Sequence, residues 1–574
     1  MTHQKNKWVT LLTTLDDVKS SLENRHLIAK VAEQFTKQIS KDRELFEAGE
    51  EFSDCALNCP VWGSKYDKSH GLCSFIAPPL FPEKLTDDMT DNERELAVTD
   101  DFTKLIRKLR KEYRTKFEEA RKKELAFKRI VSVNSRGEYD ELAKLPISKH
   151  IMNPEATQID LSPDSDFDQI IDHVANNTLF LESSPDNVEF PKGTVYKDGR
   201  LDLCMQGISV TTLNRLLKAL RNNTHIKHVL LGNNSFGDEG AELIADFMRE
   251  KNQITTWYIC ACDITSKGIK KICDALSESD GSCESRVESL WLKRNPLKVE
   301  GAKCIAKLLE TNKSIRHLDL FNTGILDEGC EHIFKALRTN TVLDTLYIGA
   351  NGVTVTGVNH VVDYFNHIVD SDTKSDTIPE PRLRTLFLDV NRIGDEGINL
   401  LCNALRRYGK MVRLSVGANR VTHVGMKYVA DTFVDDKSLV FLDVGMCKAT
   451  LNVHELPNNI GDAGVEHIQR LIEQNKTLRV LNVRHNGITD EGVDKIVTSL
   501  KTNTTLFKLH VEQSGGKNVL GVIRMCSEIT DKNILSAISS DSSDLSGVVM
   551  KDVVKLMSHG DSISNTESRY LLGI

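Results

Sequence analysis

Residues 226–248, IKHVLLGNNSFGDEGAELIADFM, and residues 478–500, LRVLNVRHNGITDEGVDKIVTSL, lie over one another without a gap. Both follow L-x-x-L-x-L-x-x-N-x-I, as does Ile315-Leu318-Leu320-Thr323-Ile325. Carrying that frame outward, mostly in steps of 28 residues, gives eleven units marked by Gln206, Asn234, Cys262, Asn295, Thr323, Asn351, Asn391, Asn419, Cys447, Asn486 and Ser514. A second column, Gly240, Gly268, Gly301, Gly329, Gly357, Gly397, Gly425, Gly464 and Gly492, follows it. A fixed period of roughly 20 to 50 residues is the mark of a solenoid.

Each unit opens with apolar residues two apart, which fits a short strand with one face buried. The period then lengthens: Leu243, Ile244 and Phe247, or Ile305, Leu308 and Leu309, recur three to four apart and form the apolar stripe of a helix. Each unit is therefore read as one strand and one helix. Neither can bury its apolar face alone, so stacking must do it, with a parallel concave sheet inside and helices outside. The Asn amide suits backbone groups released between strand and helix. Cys262 and Cys447 are taken as structural variants of that column.

Units such as LGNNSFGDEGAELIADFM, LDVNRIGDEGINLLCNAL and VRHNGITDEGVDKIVTSL resemble the ribonuclease-inhibitor-like class of leucine-rich repeats. The resemblance covers about residues 198–515 and implies an α/β horseshoe. That class includes ribonuclease inhibitor, the Ran GTPase-activating protein and the sensor regions of NOD-like receptors, which share architecture without sharing an activity. The resemblance to the GTPase-activating members implies an arginine two residues beyond the glycine column of an early unit. The matching positions here are Glu242, Lys270, Lys303, Glu331, Asn359, Asn399, Lys427, Glu466 and Asp494, with no arginine among them.

A net charge of −8 and a pI near 6.1 give no global attraction to nucleic acid or anionic membrane. The first residues carry no signal-peptide pattern and no run of 18 apolar residues occurs, so a soluble cytoplasmic protein is expected. Thirteen scattered cysteines fit reduced thiols better than a disulfide framework. No phosphate-cradling glycine loop, zinc-protease helix motif or hydrolase elbow is present. No cofactor is implied. Cys55, Cys59, His70 and Cys73 are the right ligand types for zinc, but their spacing matches no familiar class, and ordinary thiols are the default.

The expected organisation is a mainly helical accessory region with a linker over 1–150, a capping segment over 151–197, the repeats over 198–515, and a C-terminal cap with a polar tail over 516–574. Within the first, Phe102, Leu105, Ile106, Leu109, Tyr113 and Phe117 share one face of an amphipathic helix. Insertions at 277–285, around 369–379 and at 448–459 lengthen the repeat, and the third is expected to project from the rim where the Asn turn sits.

The outward positions of the strands bring up Leu230, Tyr258, Trp291, Asp319, Tyr347, Phe387, Ser415, Asp443, Asn482 and His510, with Phe321 further along its own strand. Tyr258, Trp291, Phe321, Tyr347 and Phe387 thus predict a nearly continuous aromatic row on the concave face, although aromatics are 6% of the chain. Such rings are either a protein-binding surface or a seat for the N-terminal region. The function expected is a non-enzymatic scaffold that binds a protein partner through this row, with no catalytic or metal residues. The alternatives are a GTPase-activating protein of Ran type and an immune-type or regulatory sensor.

Overall fold

The computed structural model describes residues 145–156, 159–178, 180, 187–250, 253–277, 287–372, 383–506 and 508–511. All fall within one compact unit, Val131–Asp541. The helix expected over 101–131, the Cys55–Cys73 constellation and Ser514 lie outside the described residues.

Thirteen strands form one sheet in strict sequence order. They are β1 (Asn187–Glu189), β2 (Thr194–Tyr196), β3 (Arg200–Asp202), β4 (His228–Leu230), β5 (Thr256–Tyr258), β6 (Ser289–Trp291), β7 (His317–Asp319), β8 (Thr345–Tyr347), β9 (Thr385–Phe387), β10 (Arg413–Ser415), β11 (Phe441–Asp443), β12 (Val480–Asn482) and β13 (Lys508–His510). From β3 onward every pairing is parallel, while β1 and β2 add an antiparallel hairpin at the N-terminal end. Ahead of them stand α1 (Lys149–Met152) and α2 (Asp168–Ala175). The repeats contribute α3 (Val210–Leu220), α4 (Gly237–Arg249), α5 (Ser266–Ser277), α6 (Lys298–Thr311), α7 (Leu326–Leu337), α8 (Val355–Asp372), α9 (Gly394–Tyr408), α10 (His423–Phe433), α11 (Lys448–Asn452), α12 (Val465–Gln474) and α13 (Asp490–Ser499).

The core lies between sheet and helices. In the unit of β9, Leu386, Leu388 and Ile393 from the strand side meet Ile398, Leu401 and Leu405 from α9, and all six are buried. The Asn column laces the units together. The side chain of Asn295 accepts from the backbone N–H groups of Cys262 and Ile264 at 2.9 and 3.1 Å, and donates to the carbonyls of Ile259 and Leu292 at 2.8 and 2.9 Å. Asn351 and Asn391 repeat the pattern one unit at a time. Cys262, in the same column, can offer only its thiol to the carbonyls of Leu231 and Cys260, both at 3.3 Å.

Cys447 is not a member of this column. Asn458 takes the place instead, accepting from the N–H groups of Asn419 and Val421 at 2.6 and 3.0 Å and donating to the carbonyls of Val416 and Val444. The extra residues therefore precede the ladder position rather than follow it. Nor does the insertion project: it forms α11 and returns across the rim, burying Val453 and Glu455.

Two further lacings run beside the Asn column. Asp395 at the start of α9 accepts from the N–H and hydroxyl of Thr422, at 2.8 and 2.6 Å, and from the N–H of Gly425 at 2.9 Å. A Cβ on Gly425 would stand 2.4 Å from that carboxylate and 2.5 Å from Val421, and the residue four places earlier crowds the column elsewhere too, as Phe236 does at Gly240, Leu297 at Gly301 and Ile460 at Gly464. Asp238 and Thr265, Asp327 and Thr354, and Asp462 and Thr489 are built alike. On the opposite edge, buried Asn223, Asn312, Asn340, Asn475 and Asn503 close the turn from helix to strand. Asn340, for instance, caps the N–H groups of Val342 and Leu343 and donates to the Leu309 carbonyl of the unit before.

Because nearest neighbours carry the array, Leu388→Ala and Leu405→Ala should each cost roughly 2 to 5 kcal/mol in denaturant titration, from lost transfer energy plus the cavity left. A loss below about 1 kcal/mol for both would contradict the assigned core.

Candidate functional site

Register places the concave site. Tyr258 pairs with Trp291, Trp291 with Asp319, Asp319 with Tyr347, Tyr347 with Phe387, Phe387 with Ser415 and Ser415 with Asp443. Parallel strands about 4.8 Å apart make these residues a single file.

The rings do not behave alike. Trp291 and Tyr347 meet across Asp319 with centroids 5.3 Å apart, Tyr347 stacks on Phe387 at 4.5 Å, and Phe387 reaches Phe441 at 5.8 Å. Tyr258 lies against Gly232, where a Cβ would come within 2.5 Å of its ring. Phe321 leaves the file for the rim, packed with Ile151, Ala350 and Val390, and the ammonium of Lys293 sits 4.7 Å from its ring centre. The expected exposed row of five is therefore corrected. Trp291 is only 2% exposed and Phe321 7%, while Tyr258, Tyr347 and Phe387 remain half-buried. Strand alternation shows which face a ring occupies but not whether its neighbours close over it. Phe441, missed in the sequence, belongs to the run because its strand position lies on the same face.

Carboxyl groups flank the rings. Asp319 is buried and accepts from the N–H of Phe321 at 2.7 Å. Burial first, and the charge of Asp443 second, push the Asp389 carboxyl up to about 7. Asp443 is also raised by burial, although it accepts from the N–H of Gly445 at 2.8 Å. Burial and Asp389 push the Cys447 thiol up to about 12, so it is no nucleophile at neutral pH. The wall thus combines aromatic area with carboxyl groups whose charged forms are poorly solvated. Among the described residues of this wall, no activated nucleophile is paired with a base.

The positions matched to the GTPase-activating arginine lie on the helices, and Glu242 on α4 pairs with Lys271 on α5 at 2.7 Å. Among the described residues no group of three or more His, Cys, Asp or Glu side chains is placed to hold a metal ion. No described helix is long and apolar enough to cross a membrane.

The repeats are similar to those of known proteins. A family model described as a leucine-rich repeat matches residues 222–245, 311–334 and 474–497. Ribonuclease inhibitor of Sus scrofa is 24% identical over 303 residues, covering 48% of this chain and 61% of that protein, and the mouse inhibitor is 25% identical over 272 residues, covering 43% and 57%. The chain is similar to ribonuclease inhibitor in its leucine-rich repeats. It spans about three-fifths of the length of these inhibitors. Human NACHT, LRR and PYD domains-containing protein 13 is 25% identical, covering 41% of this leucine-rich-repeat chain but 21% of its own. Among solved structures, the leucine-rich repeat-containing protein LegL7 from Legionella pneumophila covers 54% of this chain at 14% identity and a TM-score of 0.34. Residues 3–144, ahead of the repeats, match a family model described as a domain of unknown function (DUF2828).

The raised Asp389 pKa sets a pH dependence. An unfolded Asp titrates near about 3.9, so the folded protein holds the extra proton between that value and about 7. The stability from this group is fully present below the lower value and is lost as pH rises through about 7. Asp389→Asn should therefore gain in unfolding midpoint relative to the parent as pH rises from 5 to 8. Parallel midpoint curves for the two proteins would contradict that assignment.

Proposed function

We propose that this protein is a non-enzymatic scaffold that binds a protein partner on the concave face, with Trp291, Tyr347 and Phe387 at the centre and Tyr258 and Phe321 at its margins. The single observation that carries the reading is the contiguous run from Trp291 through Tyr347 to Phe387 on strand positions of the concave face. Large rings held rigid by their neighbours lose little entropy on binding, which is why such clusters dominate interface energetics. The inhibitor relatives support a binding role, since the name they carry is that of a protein that acts by binding another.

No nucleic acid, membrane or cofactor is part of this reading, and the site is cytoplasmic. Eight described cysteines are unpaired, five of them fully buried, as suits a reducing compartment.

Tyr347→Ala and Phe387→Ala should each weaken partner binding by on the order of 2 kcal/mol in calorimetry while moving the unfolding midpoint little. Trp291→Ala, at a buried position, should lower both affinity and stability. The partner is first captured with the full chain. Unchanged affinity in folded Tyr347→Ala and Phe387→Ala variants would remove the aromatic run from the functional account. Acceleration of GTP hydrolysis by Ran in a phosphate-release assay would instead favour the activating-protein reading, and no acceleration is expected because no arginine replaces Glu242 or its counterparts.

A further inference from the structure

Residues 145–156 run backwards along the rim formed by the turns that follow the strands. Arg392, beside β9, donates to the carbonyls of Leu145 and Pro146 at 2.7 and 2.9 Å. Ile147 lies over Gly352 and the carbonyls of Ile151 and Met152 over Gly324. Near β6, Lys298 then donates to the Asn153 side chain at 3.0 Å and Arg294 to the Glu155 carbonyl at 3.1 Å. Between these anchors α1 inserts Ile151, fully buried, among Phe321, Ala350, Val390, Ala418 and Val453.

The seat is built from the repeats and the insertion. Glu455, from the insertion, has a side chain with no exposure and receives Arg392 at 2.5 and 2.9 Å and Arg420 at 2.9 Å. The Arg392 fork is therefore oriented by the array and the insertion, with donors left over for carbonyls of an incoming chain. The floor of the Ile151 pocket is the left-handed position just before the ladder Asn. In other units that column carries Met205, Asn233, Ala261, Arg294, Asn322 or His485, while under Ile151 it carries Ala350, Val390 and Ala418 in succession, at φ of 52°, 61° and 50°. Valine there is a sterically disfavoured choice, and here it forms a wall of the pocket.

The strap is only partly enclosed. It has no strand pairing, and Leu145 and Met152 are 54% and 43% exposed. Three of its polar anchors are main-chain carbonyls, which any sequence offers, and selectivity comes from the fully buried Ile151, with Ile147, Pro154 and Ala156 packed on either side of it.

We propose that this rim is a second, peptide-reading site, distinct from the concave face. Its ligand class is a short peptide in which prolines bound a single helical turn bearing one branched aliphatic anchor. The chain's own residues 145–156 occupy it in cis. Tethering gives this occupant a high effective concentration, so the resting protein is closed to competitors.

The test uses the full chain and a fluorescent peptide of residues 145–156, LPISKHIMNPEA. The variant Ile151→Asp, which expels the strap, should bind the peptide saturably in an anisotropy titration, while the parent protein shows at least tenfold weaker binding. Adding Arg392→Ala, or placing Asp for Ile in the peptide, should abolish it. A folded Ile151→Asp protein that binds no peptide overturns the proposal. Hydrogen exchange on the unaltered protein gives an independent reading should that variant not fold. The strap amides of Met152 and Asn153 should exchange at least tenfold faster than that of Leu388, and equal protection means the strap opens only with the whole array and overturns the proposal.

Discussion

Everything in this array depends on satisfying buried peptide groups where strand turns into helix. Those groups lie out of water and beyond the reach of the sheet ladder, and each left unpaired costs about 1 to 3 kcal/mol. A side-chain amide has an acceptor and two donors at one end of a short stem, so a single Asn serves the N–H groups of the unit before it and carbonyls on both sides. Asn295 does so with four contacts between 2.8 and 3.1 Å. The same atoms that satisfy the turn also fix one unit against the next. Register, and with it the single file of concave residues, is a consequence of this pairing.

The Asp–Thr contacts between helix starts and the Asn turns at the other edge bracket that central lacing. The carboxylate of Asp395 stands at the first turn of α9, where backbone N–H groups favour negative charge, and it ties that end to Thr422 of the next helix. Asn340 fastens the far end of its unit to the Leu309 carbonyl. Where all three lacings coincide, as around Asn340, Asn351 and the Asp327–Thr354 pair, neighbouring strands have little freedom to slide.

The period, the strand and helix halves, and the glycine column were legible because each follows from local spacing that recurs. The misplacement of Cys447 shows where such reading fails. Counting forward from Asn419 by the common period lands on the cysteine, yet Gly464 follows Asn458 by the same interval that separates Gly425 from Asn419. The glycine column held the information, since packing against the side chain four residues earlier, Val421 for Gly425 and Ile460 for Gly464, fixes glycine relative to the ladder rather than to the strand. The turn motif of Asn312-Lys313-Ser314-Ile315, Asn475-Lys476-Thr477-Leu478 and Asn503-Thr504-Thr505-Leu506 was also present in the sequence and gives the second Asn lacing. The strap could not be read at all. Its contact of Arg392 with Leu145 joins residues 247 apart, and neither carries a periodic signal.

Phe321 is the residue that the concave face and the rim share. It follows Asp319, which is closed over by Trp291 and Tyr347, and it also walls the pocket of Ile151. A ligand on either surface can influence the other only by contacting this region differently with the strap seated and unseated. The ring is already confined by Gly349, where a Cβ would stand 2.7 Å from it, and by the Lys293 ammonium above. It has little room to adapt, so a shift imposed from the concave side has to be taken up by Ile151. Any linkage through this contact is reciprocal, and strap occupancy would bias the concave site by the same factor that a concave ligand biases the strap.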